Sequence, residues 1–350
     1  MSKERISAIM ACRGVFVKSS YVAWLLLKFR LKRVEWGGMN ATILKTLAYF
    51  DTYEYPLTAT EVWRWLYRPP VINGQLPTLD QVTSALESDP WLTERVTRVE
   101  GFYCFRGREY LIPLRKERNM LIERQIRKVR RIARLFRLIP YVQMIAVSSS
   151  LPIGNVKETS DIDLFIVCRQ RTIWVTRLLL VGIVKLLGQR PTPRHKTDKI
   201  CLSYYVTERA LDLQPSAIGV DDPVMHYHIA TLLPIYDPIG TYDKFLQANV
   251  WNNRNLPLCA TGQRTIFQLH DGIVIRWWRI IADYLFSLFL AEPIQQQLIR
   301  WQLNIMPARL KALANLDTRV IISEDILKFH DQDIRSQLRQ RWLDRIRMYE

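Results

Sequence analysis

The chain has 350 residues, of which 49% are hydrophobic and 24% are charged. This content is enough to bury a core, so it excludes a largely disordered protein, and the length favours two or three domains. The 50 Lys and Arg residues exceed the 33 Asp and Glu residues, which gives a formal net charge of +17. An excess of this size favours polyanionic partners, namely nucleic acid, nucleotide phosphates or an anionic membrane surface.

The cysteines and the apolar stretches point to a protein of the reducing cytoplasm. The five cysteines are Cys12, Cys104, Cys168, Cys201 and Cys259. They form no CxxC pair and no Cys/His ligand spacing, so we expect free thiols and no zinc site. The apolar stretches 172–188 and 280–291 are charged or too short to reach the roughly 20 residues of a membrane span. We therefore predict no transmembrane segment and interpret both stretches as buried helices.

Residues 1–38 form a basic N-terminal extension, in which positions 1–36 contain eight Lys and Arg residues against two Glu. It lacks the small-residue cleavage site of a signal peptide. One hypothesis is an amphipathic helix that binds a surface. The other is that Met39 is the natural start and that the preceding residues are a translated upstream extension or a loose arm.

Residues 39–113 show the element order of a winged helix. Helical spacing begins near Asn40, a second helix follows Thr58, and a third follows Thr78. Two short strands then flank a turn at 100–101. A winged helix binds either DNA or protein. The third helix carries three acids and no Lys or Arg between positions 79 and 89, so it would repel DNA, and we favour a protein-contact or intramolecular role.

Residues 114–139 form one basic connecting helix. Positions 115–137 contain ten Lys and Arg residues, two Glu and an apolar stripe at helical spacing. The cations are either a solvated face or a wall that attracts phosphate. Residues 140–258 alternate strands with helices and form the predicted core, and residues 259–350 are mostly helical with a short strand and turn near 319–329. The predicted fold class is α+β, with a mixed sheet flanked by helices.

The candidate chemistry lies in the stretch 147–167, "VSSSLPIGNVKETSDIDLFIV". Side chains alternate along a strand, so Asp161 and Asp163 project to one face. Two carboxylates at this spacing are suited to Mg²⁺, which also binds phosphate oxygens. The alternative without a metal is that Asp161 is a turn residue and Asp163 is an exposed strand position. The apolar run after Asp163 favours the metal, because burying two acids without a cation is costly.

The residues around the two aspartates are suited to phosphate. Serine hydroxyls and turn N–H groups cradle phosphates, and a Gly-Asn pair permits a sharp bend. A nearby lysine would offset phosphate charge. The candidate nucleotide-binding residues are Ser149, Ser150, Gly154, Asn155, Lys157 and Ser160.

This combination resembles the nucleotidyltransferase superfamily of DNA polymerase beta. Ser150 lies eleven residues before Asp161 and matches the serine of the family's Gly-Ser pair. Asp161 and Asp163 match its two metal-binding acids. "EGFYCFRGRE", "TYDKFLQAN" and "LKFHDQDIR" resemble segments of bacterial nucleotidyltransferase-domain proteins. The resemblance extends over about residues 40–345, and its specific motif covers only 147–167.

The resemblance implies transfer of NMP from an NTP to a hydroxyl acceptor, with Mg²⁺ or Mn²⁺ and release of pyrophosphate. Two departures weaken this expectation. Ser149 replaces the family glycine, and no third acid is evident in the strand beside the two aspartates. Asp198 just before that strand, or Glu208 just after it, could replace the third acid. The alternatives are an impaired nucleotidyltransferase-like protein that binds nucleic acid or regulates, and a protein-contact module.

The histidines show no metal-ligand spacing. His226 and His228 lie two residues apart, and His330 lies in a cluster that we interpret as a helix N-terminus. The Trp277-Trp278 pair is more typical of a core than of a platform for stacking bases.

Overall fold

The computed structural model describes residues 38–192, 195–219, 221–260, 262, 267–287 and 292–350. In these residues the protein is a mixture of α and β structure with twelve α-helices and two sheets, which confirms the predicted α+β class. The two hypotheses about the N-terminal extension concern positions 1–37, which lie outside the described residues.

The N-terminal unit contains the predicted helices and hairpin. Its elements are α1 (Met39–Asp51), β1 (Leu57–Thr58), α2 (Ala59–Arg64), α3 (Leu79–Ser88), α4 (Pro90–Arg95), β2 (Val96–Val99) and β3 (Phe102–Phe105). Thr58 and Thr78 form capping boxes at the starts of α2 and α3, as the sequence predicts. Glu100 and Gly101 both have positive φ, which is typical of a two-residue hairpin turn. The three strands form an antiparallel sheet in the order β1-β3-β2.

The basic helix α5 (Leu111–Phe136) begins three residues before the predicted start and has 26 residues. Its apolar stripe is buried in the core. Several of its cations bind other parts of the chain: Arg115 binds Glu61 and Lys128 binds Asp198, each at 2.8–2.9 Å, and Arg118 donates to Asn155 at 2.7 Å. Another set remains exposed along one face of the helix, namely Arg124, Arg127, Arg131 and Arg134. The exposed set is a solvated face, and attraction of phosphate by this helix stays a prediction.

The second sheet receives strands from two regions of the sequence. The middle region contains β4 (Val142–Val147), β5 (Ile162–Cys168), α6 (Ile173–Leu186), β6 (Ile200–Thr207), α7 (Pro223–Thr231), β7 (Leu233–Tyr236) and α8 (Thr241–Ala248). The last region contains α9 (Ile273–Phe286), α10 (Glu292–Asn304), α11 (Ala308–Leu313), β8 (Val320–Ile322), β9 (Ile326–Phe329) and α12 (Arg335–Tyr349). The strand order is β7-β4-β5-β6-β9-β8, in which β5 and β6 are parallel and the other pairs are antiparallel.

The C-terminal region is less separate than the sequence predicts. Strand β9 pairs with β6, so this mostly helical region supplies two strands to the main sheet. Helix α12 packs against α1, where Trp342 Nε1 donates to the carbonyl oxygen of Lys45 at 2.9 Å. Trp342 and Ile346 are both buried in the core of the N-terminal unit. The N- and C-terminal parts of the described chain therefore share one core.

Helix α9 corrects the prediction that the Trp277-Trp278 pair and the start of stretch 280–291 are buried. Trp277 is 61% exposed and Trp278 is 40% exposed. The opposite edge of the helix is polar and faces the protein: Arg279 donates to the carbonyl oxygens of residues 137, 140 and 142, and Asp283 binds Arg169 at 2.8 Å. These hydrogen bonds hold the polar edge inward, so the apolar face is turned outward. No helix among the described residues is both long enough and apolar enough to cross a membrane.

Candidate metal centre and serine loop

The structure brings the two aspartates together at the start of the central strand β5. Asp161 immediately precedes β5 and Asp163 is its second residue. Strand β6 runs parallel to β5, and the Cα of Cys201 pairs with that of Asp163. One ligand atom from each of Asp161, Asp163 and Cys201 lies within 4.8 Å of the others. The two aspartates therefore form a three-residue cluster with Cys201 at the end of the sheet where β5 and β6 begin.

The cluster is electrostatically unfavourable without a cation. Burial, together with the negative charge of Asp161, raises the pKa of Asp163 to about 6, although hydrogen bonds with Cys201 and Ser149 act in the opposite direction. Burial, followed by the charge of Asp163, raises the pKa of the Cys201 thiol well above its usual value. The thiol therefore stays protonated at neutral pH and donates to Asp163. In the described part of the chain, neither aspartate forms an ion pair with Lys, Arg or His.

These donors fit a hard divalent cation. Two carboxylates provide the oxygen ligands that Mg²⁺ and Mn²⁺ take in proteins. Asp161 and Asp163 would hold the cation, with Cys201 as a hydrogen-bond donor beside it.

The two candidates for the third acid lie at opposite ends of the parallel strand pair. Glu208 follows β6, where its N–H donates to the carbonyl oxygen of Cys168 at the far end of β5. Cys168 lies five residues after Asp163, and strands rise by about 3.3 Å per residue, so Glu208 is about 16 Å from the cluster. The alternative based on Glu208 is therefore wrong.

Asp198 lies at the correct end of the sheet. Its backbone N–H donates to the carbonyl oxygen of Ser160 at 2.8 Å, next to the segment that enters β5. Its Oδ2 accepts a hydrogen bond from Lys128 Nζ at 2.9 Å, and the carboxylate is not part of the three-residue cluster. A catalytic role for Asp198 stays a prediction, and the strand position beside Asp163 is held by Cys201.

Ser149 adopts a backbone conformation that is typical of glycine. Its φ is +63°, in the left-handed region that glycine enters freely and that L-residues other than Asn and Asp rarely enter. The neighbouring Ser148 is anchored by a hydrogen bond from its N–H to the carbonyl oxygen of Asp163 at 3.0 Å. The serine side chain at 149 also hydrogen-bonds to Asp163. Ser149 therefore keeps the sharp turn, at a conformational cost of about 1 kcal/mol.

The remaining predicted phosphate-binding residues divide into two groups. Ser149 and Ser150 line a cavity and face open space. Gly154 and Asn155 instead hold the loop in place. Gly154 has φ of +80°, and the buried Asn155 donates to the carbonyl oxygen of Tyr53 at 2.9 Å.

Lys157 and Ser160 lie on the same loop as the serines but are used differently. Lys157 is exposed and lies 3.3 Å from Glu54. Ser160 donates its N–H to the carbonyl oxygen of Lys157. Of the six predicted phosphate-binding residues, the structure therefore places only Ser149 and Ser150 against the cavity.

The structure also gathers residues that spacing in the sequence did not connect. His330 Nε2 lies 2.9 Å from the hydroxyl of Ser203, two residues after Cys201 in β6. His228, from α7, lines the same cavity as His330 and Ser203. The available signal was the alternation of Cys201 and Ser203 along one strand, which indicates a shared face. The histidines come from distant segments, so only the fold reveals their proximity.

The chain matches no family model, no curated protein and no solved structure. Its function is therefore argued from the geometry of the two aspartates, the serine turn and the cavity beside them.

Proposed function

We propose that the protein is a metal-dependent nucleotidyltransferase that transfers NMP from an NTP to a hydroxyl acceptor and releases pyrophosphate. The observation that supports this most directly is the pair Asp161 and Asp163, which share one strand edge without an ion-pair partner among the described residues. Holding two partly buried acids this close together is unfavourable unless a cation offsets their charge. The left-handed turn at Ser149 lies directly beside them.

In the proposed reaction, each residue has a defined task. Asp161 and Asp163 would hold Mg²⁺ or Mn²⁺, which would offset the negative charge of the phosphates. Ser149 and Ser150 direct hydroxyl or N–H groups towards the phosphates. Cys201 and Ser149 orient Asp163 through hydrogen bonds. The acceptor oxygen forms a bond to the α-phosphorus while the bond to pyrophosphate breaks, and the hydroxyl proton passes to solvent.

A second candidate function is a catalytically impaired protein of the same fold that binds nucleic acid. Two observations favour it. The strand beside Asp163 carries the thiol of Cys201 where a third acid is expected. The outer face of α5 also presents Arg124, Arg131 and Arg134 to solvent, and exposed cations on one helix face suit a phosphate backbone. Cytoplasmic localisation is part of both proposals.

One experiment separates the two functions. Purified protein is incubated with each labelled NTP and Mg²⁺ or Mn²⁺, and transfer to RNA, to small hydroxyl compounds and to the protein itself is measured with pyrophosphate release. Asp161→Asn and Asp163→Asn should abolish metal-dependent turnover, whereas Asp80→Asn on the exposed surface of α3 should not. Turnover that survives both site substitutions contradicts the enzyme. Salt-sensitive RNA or DNA binding without turnover supports the second candidate.

A further inference from the structure

A cavity of about 310 Å³ lies behind the serine turn. Its walls come from four parts of the chain: helix α1, the serine turn with β6, helix α7, and the segment that joins β9 to α12. Ser149 lines the cavity and hydrogen-bonds to Asp163, so the cavity opens directly beside the candidate metal centre. A volume of this size is at the small end of the range for small-molecule sites, which is about 300–1,000 Å³.

One wall of the cavity is aromatic and apolar. Tyr49 and Tyr227 stack with their ring centroids 3.9 Å apart, and Phe50 meets Tyr227 edge-on at 5.2 Å. Tyr53 and Leu338 line the same space. Such a wall favours a ligand with a flat or apolar body, because contact removes apolar surface from water and rings prefer stacked or edge-on contacts.

The opposite wall supplies uncharged hydrogen-bonding groups. Burial is the main cause that lowers the pKa of His228 to about 3 and that of His330 to about 4, and nearby cations lower both further. Both rings are therefore neutral. His330 contacts Ser203, whereas His228 Nε2 is buried with no hydrogen-bond partner among the described residues. The hydroxyl of Ser203 is partly exposed and lines the cavity, so a ligand can hydrogen-bond to it.

The charged groups at the cavity offset one another. Arg335 binds Asp333 at 2.6 Å and Asp222 at 3.0 Å. Lys328 Nζ donates to the carbonyl oxygen of Thr318 at 2.8 Å and lies 3.9 Å from Asp333. Two cations thus face two carboxylates, and no excess positive charge is left to hold a triphosphate. The cavity is better suited to an uncharged molecule than to the phosphates of an NTP.

We propose that this cavity binds the acceptor, and that the acceptor is a small neutral molecule with an aromatic body and a hydroxyl group. Its ring lies against Tyr49 and Tyr227, a polar group hydrogen-bonds to the hydroxyl of Ser203, and its hydroxyl points past Ser149 towards Asp161 and Asp163. The acceptor role rests on the nucleotidyltransferase function proposed above. The binding of a neutral ring by the cavity does not depend on that function.

Two related probes test the chemistry of the cavity. 2-(4-Hydroxyphenyl)ethanol is neutral, and 4-hydroxyphenylacetate has the same ring with a carboxylate. Calorimetric titration without nucleotide or metal should show that the neutral probe binds at least about tenfold more tightly, a difference of about 1.4 kcal/mol. Equal affinity for the two probes, or no binding of the neutral probe, overturns the assignment.

Substitutions locate the bound probe. Ser203→Ala removes the hydroxyl that lines the cavity, and Leu338→Trp fills the cavity from α12, so each should weaken binding of the neutral probe by about tenfold or more. Met348→Trp is the control, because it introduces the same residue on the same helix at a side chain that is 69% exposed. Thermal melts show that each variant is folded. Unchanged binding in both folded cavity variants contradicts the site.

The acceptor role is tested separately with ATP and Mg²⁺. ATP and the neutral probe should bind together, and Leu338→Trp should leave binding of ATP with Mg²⁺ unchanged. Competition between ATP and the probe would assign the cavity to the nucleobase and overturn the acceptor role. If the probe binds but Asp161→Asn has no effect on NTP binding or turnover, the proposed function fails while the cavity assignment stands.

Discussion

Replacing Asp163 with asparagine should stabilise the metal-free protein at pH 8. Burial and the charge of Asp161 raise the pKa of Asp163 to about 6, from 3.8. A shift of about two pKa units corresponds to at most about 3 kcal/mol of unfavourable free energy when the carboxylate is ionised in the folded state. Asparagine has nearly the same shape and carries no charge, so it avoids this cost.

The sign of the pH dependence follows from the raised pKa. Between about pH 4 and pH 6 the folded state holds a proton on Asp163 that the unfolded state releases, so stability falls as the pH rises through this interval. The contribution is fully present below pH 4 and is lost above pH 6. Asp163→Asn should remove this part of the pH dependence.

Urea unfolding in EDTA between pH 4.5 and pH 8 measures both effects. The variant should gain up to about 3 kcal/mol over the wild type at pH 8 and little at pH 4.5. Adding Mg²⁺ should then stabilise the wild type but not the variant, because ligand binding to the folded state raises its stability. Equal stability of the two proteins at pH 8 in EDTA would refute the reasoning that the Asp163 carboxylate is desolvated and uncompensated.

Three further predictions concern the backbone and helix α9. Gly154→Ala should lower the free energy of unfolding by about 2–3 kcal/mol, because Gly154 has φ of +80° and a Cβ there would lie 2.9 Å from a tyrosine hydroxyl. Gly101→Ala is the control and should cost only about 1 kcal/mol, because Gly101 has φ of +82° but faces open space. Equal losses in chemical denaturation would argue against the packing around Gly154. Ser149→Gly should be about 1 kcal/mol more stable than Ser149→Ala, because both variants lose the hydroxyl and only alanine keeps the strain of positive φ. A more stable alanine variant would contradict the left-handed turn. Arg279→Met should lower the free energy of unfolding by more than about 2 kcal/mol, because it leaves buried carbonyl oxygens unpaired. Trp277→Ser should change the free energy of unfolding by less than about 0.5 kcal/mol. A large loss in the tryptophan variant would show that the apolar face of α9 is covered.

Local patterns were sufficient to predict most elements. The capping boxes at Thr58 and Thr78 define helix starts, and the turn at 100–101 defines a hairpin, because these signals depend on residues close in sequence. The D-x-D spacing likewise predicts that Asp161 and Asp163 share a face of a strand. The structure agrees at each of these positions. Helix α9 is the exception, since its apolar residues indicate burial and its polar edge faces the protein instead.

The sequence alone was sufficient to predict that the two aspartates share a strand and lie beside a serine turn, because each of these features depends on spacing within one short segment. Tertiary structure decided what surrounds them. Pairing of the parallel strands β5 and β6 placed Cys201 beside Asp163 and moved Glu208 to the far end of the sheet. Packing of α1, α7 and α12 then gathered His228, His330 and the tyrosines around one cavity. Such contacts join residues more than a hundred positions apart, so no local periodicity in the sequence predicts them.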